Sequence, residues 1–182
     1  MLNHGTTGFL RHMDTLASRR ELCSLFIGEG AELGVAAGSF SNTILARSKC
    51  TLLWSIDRWS DHHGPSEAIS ACRKLVVRGR GRCIPLRMSF DEALPSFADE
   101  SLSFVYIDGY AHTGQDGGRT LEQWWPKVKA GGVFSGHDYH PTWKPTVDAV
   151  DAFVKRHGLK LNLTGEDSPG LYPSWWVRKE TT

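Results

Sequence analysis

Acidic side chains recur where short apolar runs end, and those ends are where this sequence could do chemistry. Glu32 opens a glycine-bearing turn, Glu32-Leu33-Gly34-Val35-Ala36-Ala37-Gly38-Ser39, and Asp57 ends Trp54-Ser55-Ile56-Asp57 twenty-five residues after Glu32. Asp108 closes the run Leu102 to Ile107, and His137-Asp138 follow Gly136 after Val133 to Ser135. Gly34 and Gly38 would let the backbone approach a ligand closely, with Ser39 at the start of the next helix. They stand four apart, and Ala36 occupies the place of the second glycine in a GxGxxG dinucleotide fingerprint. The turn therefore suits a ligand without phosphates better than a diphosphate. A carboxylate at Asp57 can accept hydrogen bonds from both hydroxyls of a ribose, although an aspartate at such a place also serves as a turn or cap residue. Met88 and Ser89, after the third apolar run, could take the face and the edge of an adenine ring.

These residues need a frame that brings strand ends together. Strand-like runs alternate with helix-length stretches, the pattern of a mostly parallel sheet covered on both faces, hence an α/β class. A leading helix is expected over about 8–25, strands over 27–33, 51–56, 83–86 and 102–107, and helices over 39–48 and 65–78. A short helix or turn is expected over 90–97 and a further helix over 121–128. Gly131-Gly132 then reads as a turn before a fifth strand that starts at Val133. A helix over 146–157 and an antiparallel pair, 159–163 with 174–178, complete the expectation.

With 182 residues, 40% hydrophobic, the chain fits one domain: an N-terminal helical extension over 1–26, a ligand-binding core over 27–140, and a C-terminal helix and hairpin over 141–182. The 21 Lys+Arg against 20 Asp+Glu give a net charge of +1, so no overall field draws in nucleic acid or an anionic membrane. The most basic stretch, Arg73 to Arg87, reads as the solvated side of a helix and the turn after it. Cys23, Cys50, Cys72 and Cys83 lie apart without zinc or disulfide spacing, as buried thiols of a reducing, cytoplasmic protein would. No apolar run reaches the length of a signal segment or a membrane span.

Taken together, the motifs resemble the class I S-adenosylmethionine-dependent methyltransferases, nearest to the macrocin-type sugar O-methyltransferases and, more distantly, the catechol type. The likeness rests on Glu32 to Ser39, Ile56-Asp57, Val105-Tyr106-Ile107-Asp108-Gly109, Trp124 to Val128, Gly131-Gly132-Val133 and Gly136-His137-Asp138-Tyr139. Trp175-Trp176-Val177 is similar to the family's last strand. The resemblance implies a Rossmann-like, doubly wound, mostly parallel seven-stranded sheet of order 3-2-1-4-5-7-6 with helices on both faces. It implies S-adenosylmethionine held by Glu32, Gly34, Gly38, Ser39, Asp57, Met88, Ser89 and Asp108, and a small-molecule acceptor.

Methyl transfer to a hydroxyl needs a held near-attack geometry and a way to remove the acceptor's proton. Either a metal or a general base could serve. Asp108, Asp138 and His112 could hold Mg²⁺ or Mn²⁺, since metal-using members of the group carry carboxylates at the first two positions. Two departures bear on this: Asp108-Gly109-Tyr110-Ala111-His112 has one residue more than the relatives' Asp-Gly-x-His, and Tyr139 stands where some carry a second adjacent acid. Without a metal, His137 is the expected base, with Asp108 orienting the methionine end or the acceptor. His62-His63, Asp61 and His140 read as loop residues, and Tyr139 and Trp143 as acceptor contacts. Asp57→Ala is expected to weaken cofactor binding while leaving folding largely intact. Competing readings are an N-methyltransferase without a metal, a binding module without catalysis, and a nicotinamide dehydrogenase, which the glycine spacing disfavours. The short N-terminal region leaves acceptor recognition to the leading helix and loops, or to a homodimer partner.

Overall fold

The central strand at Leu102–Ile107, Leu-Ser-Phe-Val-Tyr-Ile, is a run of apolar β-formers that suits burial on both faces. The computed structural model describes residues 16–60, 64–109, 116–166 and 172–181. Among these residues seven strands lie in one sheet: β1 Ile27–Leu33, β2 Lys49–Asp57, β3 Cys83–Arg87, β4 Leu102–Ile107, β5 Val128–Gly136, β6 Asn162–Leu163 and β7 Trp175–Arg178. Their order is β3-β2-β1-β4-β5-β7-β6, as the resemblance implied. The first five are mutually parallel, while β7 runs antiparallel to both β5 and β6.

Helices cover both faces: α1 Arg19–Leu22, α2 Ser39–Arg47, α3 Pro65–Gly79, α4 Phe90–Ala93, α5 Arg119–Trp124 and α6 Lys144–His157. Alternate residues of each strand serve different cores. Phe104 and Tyr106 of β4 join Phe26, Phe40, Ile44, Trp59 and Leu75 in one, whereas Val105 and Ile107 join Leu121, Trp124, Val150 and Phe153 in the other. Among the described residues no helix is long and apolar enough to cross a membrane.

Three expectations need correction. The described part of the leading helix starts only at Arg19, where the Ser18 hydroxyl accepts from Glu21 N at 3.3 Å and caps it; positions 8–15 lie outside the described residues. Gly131-Gly132 is no turn before β5 but part of it. Leu102 pairs with Val128 and Phe104 with Val133, so β5 absorbs extra residues as a bulge, with Gly131 at φ +76°. The strand expected over 159–163 shrinks to Asn162–Leu163, because Leu159 and Leu161 turn onto the α6-side core after Gly158 ends α6.

The carboxyl ends of the parallel strands are locked level. Met88 N donates to Asp57 O (3.1 Å), Gly34 N to Ile56 O (2.9 Å), Asp108 N to Leu33 O (2.8 Å) and His137 N to Ile107 O (2.9 Å). Between β1 and β4 the fit is extreme: a Cβ at Gly34, whose φ is +96°, would lie 2.2 Å from Gly109 Cα and 2.3 Å from Asp108 O. Gly34→Ala is expected to cost at least ~2 kcal/mol from overpacking and left-handed strain, read as a lower urea midpoint at unchanged m-value.

Candidate active site

Four acids end four neighbouring strands, and each is compensated differently. Glu32, in β1, points toward α2 and is fully buried. Its Oε2 accepts from the hydroxyls of Ser41, in a very short hydrogen bond, and of Ser55 (3.4 Å), while Oε1 has no partner among the described residues. Burial pushes its carboxyl up to about 8; the Ser41 hydrogen bond opposes the rise and the nearby Asp108 charge adds to it.

Asp57 is turned onto the glycine turn. One carboxylate oxygen accepts from Val35 N (2.8 Å) and Ala36 N (3.0 Å), and the other from Trp59 N (2.8 Å). The turn's carbonyls are tied as well: Trp59 Nε1 donates to Ala36 O (2.9 Å) and Lys74 Nζ to Ala37 O (3.0 Å). The two glycines thus serve contacts within the protein, Gly34 against Gly109 and Gly38 against Ala71, with a would-be Cβ 3.3 Å from the Ala71 Cα. Ser39 is exposed at the first turn of α2. Ser89 is committed to a capping box on α4, accepting from Glu92 N (3.2 Å) and donating to Glu92 Oε2 (2.8 Å). Met88 beside it is 39% exposed.

The third group lies at the ends of β4 and β5. His137 Nδ1 stands 2.7 Å from Asp138 Oδ1 and 3.6 Å from Asp108 Oδ1, and its Nε2 is buried without a partner among the described residues. Asp138 takes a left-handed backbone, φ +58°, which an aspartate tolerates and which follows directly on the strand end. Burial alone would lower the His137 pKa, but the hydrogen bond to Asp138 and the charges of Asp108 and Asp138 outweigh it, and the net shift is upward. Asp108 has a partner that sequence reasoning missed: Arg19 Nη1 lies 3.1 Å from Asp108 Oδ2, with its guanidinium 4.7 Å over the Phe40 ring. The pattern Ser18-x-x-Glu21 marks a helix start and could have placed Arg19 in its first turn, though not against β4. Trp59 and Lys74 were missed too, and only their spacing after Asp57 and within α3 hinted at a role.

One ligand atom from each of Asp108, His137 and Asp138 comes within 4.8 Å of the others. This trio fits a divalent ion poorly, since a guanidinium already neutralises Asp108 and the imidazole nitrogen nearest the carboxylates is engaged by Asp138. His112 lies outside the described residues, as do Asp61, His62 and His63. His140 bonds Thr142 N through Nδ1 (3.2 Å) and stacks on Tyr172 at 4.4 Å, while the Tyr139 hydroxyl donates to Asp151 (2.7 Å) on α6.

Because Asp57 satisfies three backbone N–H groups, Asp57→Ala is expected to cost about 1–3 kcal/mol of stability by chemical denaturation. Glu32 holds its proton more tightly folded than unfolded, so its contribution to stability declines as pH rises from the ordinary carboxylate range toward about 8. Glu32→Gln is therefore expected to gain in melting temperature relative to the parent between pH 5 and about 8, and a difference independent of pH would contradict an acid buried in its neutral form.

A methyltransferase-domain family model matches residues 31–139. No curated protein matches the chain significantly. Solved structures do. A candidate O-methyltransferase from Klebsiella pneumoniae aligns at a TM-score of 0.66 and 12% identity, covering 84% of this chain and 73% of that one. A candidate methyltransferase from Streptococcus mutans in complex with SAH gives 0.65 and 12%, covering 88% and 95%. A candidate caffeoyl-CoA O-methyltransferase from Staphylococcus aureus gives 0.65 and 15%, covering 88% and 80%. At such identities these structures speak to the fold, whereas the family match spans more than half of the chain. This chain belongs to the class I S-adenosylmethionine-dependent methyltransferase family.

Proposed function

We propose that this enzyme methylates a hydroxyl of a sugar or another small metabolite without a metal, using His137 as general base. The observation that carries the reading is the pairing of His137 Nδ1 with Asp138 Oδ1 at 2.7 Å, while Nε2 is left without a protein partner among the described residues. S-Adenosylmethionine supplies an electrophilic methyl group and its own leaving group. The chain's residues must do the rest. Asp138 accepts a hydrogen bond from Nδ1–H, which would fix the tautomer and orient Nε2 to take the acceptor's proton, the arrangement of a base steadied by a third group. Shielding from solvent keeps water off the imidazole until the acceptor is bound, and hydrogen bonds of this kind tighten in the complex. Asp108, at the end of β4, orients the amino-acid end of the cofactor. Asp57, whose carboxylate already grips the glycine turn, receives the ribose at the same place, so turn geometry and cofactor position are set by one side chain.

A neutral small acceptor agrees with a net charge of +1 and with the structural work of the basic residues: Lys74 caps the glycine turn, and Arg82 bonds Cys50 O (3.0 Å) and Leu45 O (3.1 Å).

A base must be neutral to act. With the His137 pKa raised, kcat/KM for the acceptor is expected to climb with pH along a limb centred above the ordinary imidazole value of about 6.5. Asp138→Asn removes the carboxylate that raises it, which should move the limb to lower pH and cut kcat by about 10²- to 10⁴-fold, with cofactor affinity changed little. Normal turnover in that variant would sink the dyad. Activity should also persist in a chelator; loss that Mn²⁺ or Mg²⁺ restores would replace the base with a metal held at Asp108 and Asp138.

A further inference from the structure

Arg19 is a charged group at the ends of β1 and β4 that the proposed chemistry leaves unused. Its position is fixed from two sides. Gly165 N, just beyond β6, donates to Leu16 O at 2.9 Å, and a Cβ at Gly165 would lie 2.6 Å from Ala17 O. The segment before α1 is therefore held close to the end of the sheet's last strand, and Ser18 then starts the helix. The chain crosses from there to the ends of β1 and β4, where the Arg19 guanidinium meets Asp108 Oδ2 at 3.1 Å and covers the Phe40 ring. Phe40 is the second residue of α2, directly after the glycine turn. The Arg19 side chain is only 20% exposed.

If the cofactor's ribose is held at Asp57, as proposed above, its amino-acid end would be directed toward β4, which neighbours β1 on the side away from β2. That end is a zwitterion. Asp108 is suited to an ammonium but would repel a carboxylate, and the buried Glu32 beside it, held neutral, supplies no charge to offset that. A half-buried guanidinium reverses that repulsion, and its planar fork matches a carboxylate in geometry as well as sign.

We propose that Arg19 recognises the carboxylate of the cofactor's amino-acid end and that its ion pair with Asp108 positions both halves of a zwitterion site. The inference deepens the functional reading above and rests on the cofactor placement made there. It predicts that the enzyme distinguishes an amino-acid tail from a simple amine tail through a residue of its N-terminal segment.

The test is calorimetric titration of the full chain and of Arg19→Ala with S-adenosylhomocysteine and with its decarboxylated analogue, which keeps the ammonium and lacks only the carboxylate. The parent is expected to bind S-adenosylhomocysteine about 10- to 100-fold more tightly than the analogue, and Arg19→Ala to erase that difference by weakening the former alone. Arg19→Lys, which keeps the charge but not the fork, should fall between and provides the answer if the alanine variant fails to fold. Equal weakening of both ligands would make Arg19 a structural residue, and unchanged affinity for both would remove it from the site. Failure of the parent to bind either compound would overturn the cofactor placement itself and Arg19's role with it, an outcome separable from selective failure of the variant.

Discussion

The contact between Gly34 and Gly109 is the constraint on which the site depends. Two backbones come so close there that no side chain fits at Gly34 without meeting Gly109 or the Asp108 carbonyl. That closeness brings the ends of β1 and β4 side by side, and the Asp108 N to Leu33 O hydrogen bond holds them level. Glu32, Asp108 and Arg19 become neighbours as a consequence, although they belong to elements far apart in the chain. Gly34, expected as a point of close backbone approach, lies against the backbone of Gly109.

Electrostatics at this edge follows from crowding acids at neighbouring strand ends. Each of the four finds its own relief: Glu32 keeps a proton, Asp57 gathers three backbone N–H groups, Asp108 takes a guanidinium and Asp138 an imidazole. Removing the partner of Asp108 or of Asp138 leaves a partly desolvated charge, which costs more than the pair contributes. The same crowding raises the affinity of His137 for its proton. Structure and reactivity thus draw on one set of interactions, and substitutions made to probe catalysis will also report on folding, Asp57 most of all.

Much of this was legible in the sequence, because a parallel strand buried on both faces advertises itself as an apolar run ending in a glycine or an acid. The span of β4 and the acids at 57, 108 and 138 were readable that way, and family resemblance supplied the strand order. What escaped was whatever depends on a partner distant in sequence. Gly131-Gly132 looks like a turn until the register with β4 demands a bulge. Ser89-x-x-Glu92 carried a capping signature that competed with the adenine reading, and the structure fills it. Arg19 was invisible, since nothing in a short polar segment tells which strand end it will meet.

Titration of the purified chain with S-adenosylhomocysteine, alongside NAD, tests the central claim most directly. The account predicts saturable one-site binding of the adenosyl compound and none of NAD, because the glycine turn lacks the spacing that cradles a diphosphate and its backbone polar groups are already tied to Asp57, Trp59 and Lys74. Binding of NAD in preference, or of neither ligand, would contradict it.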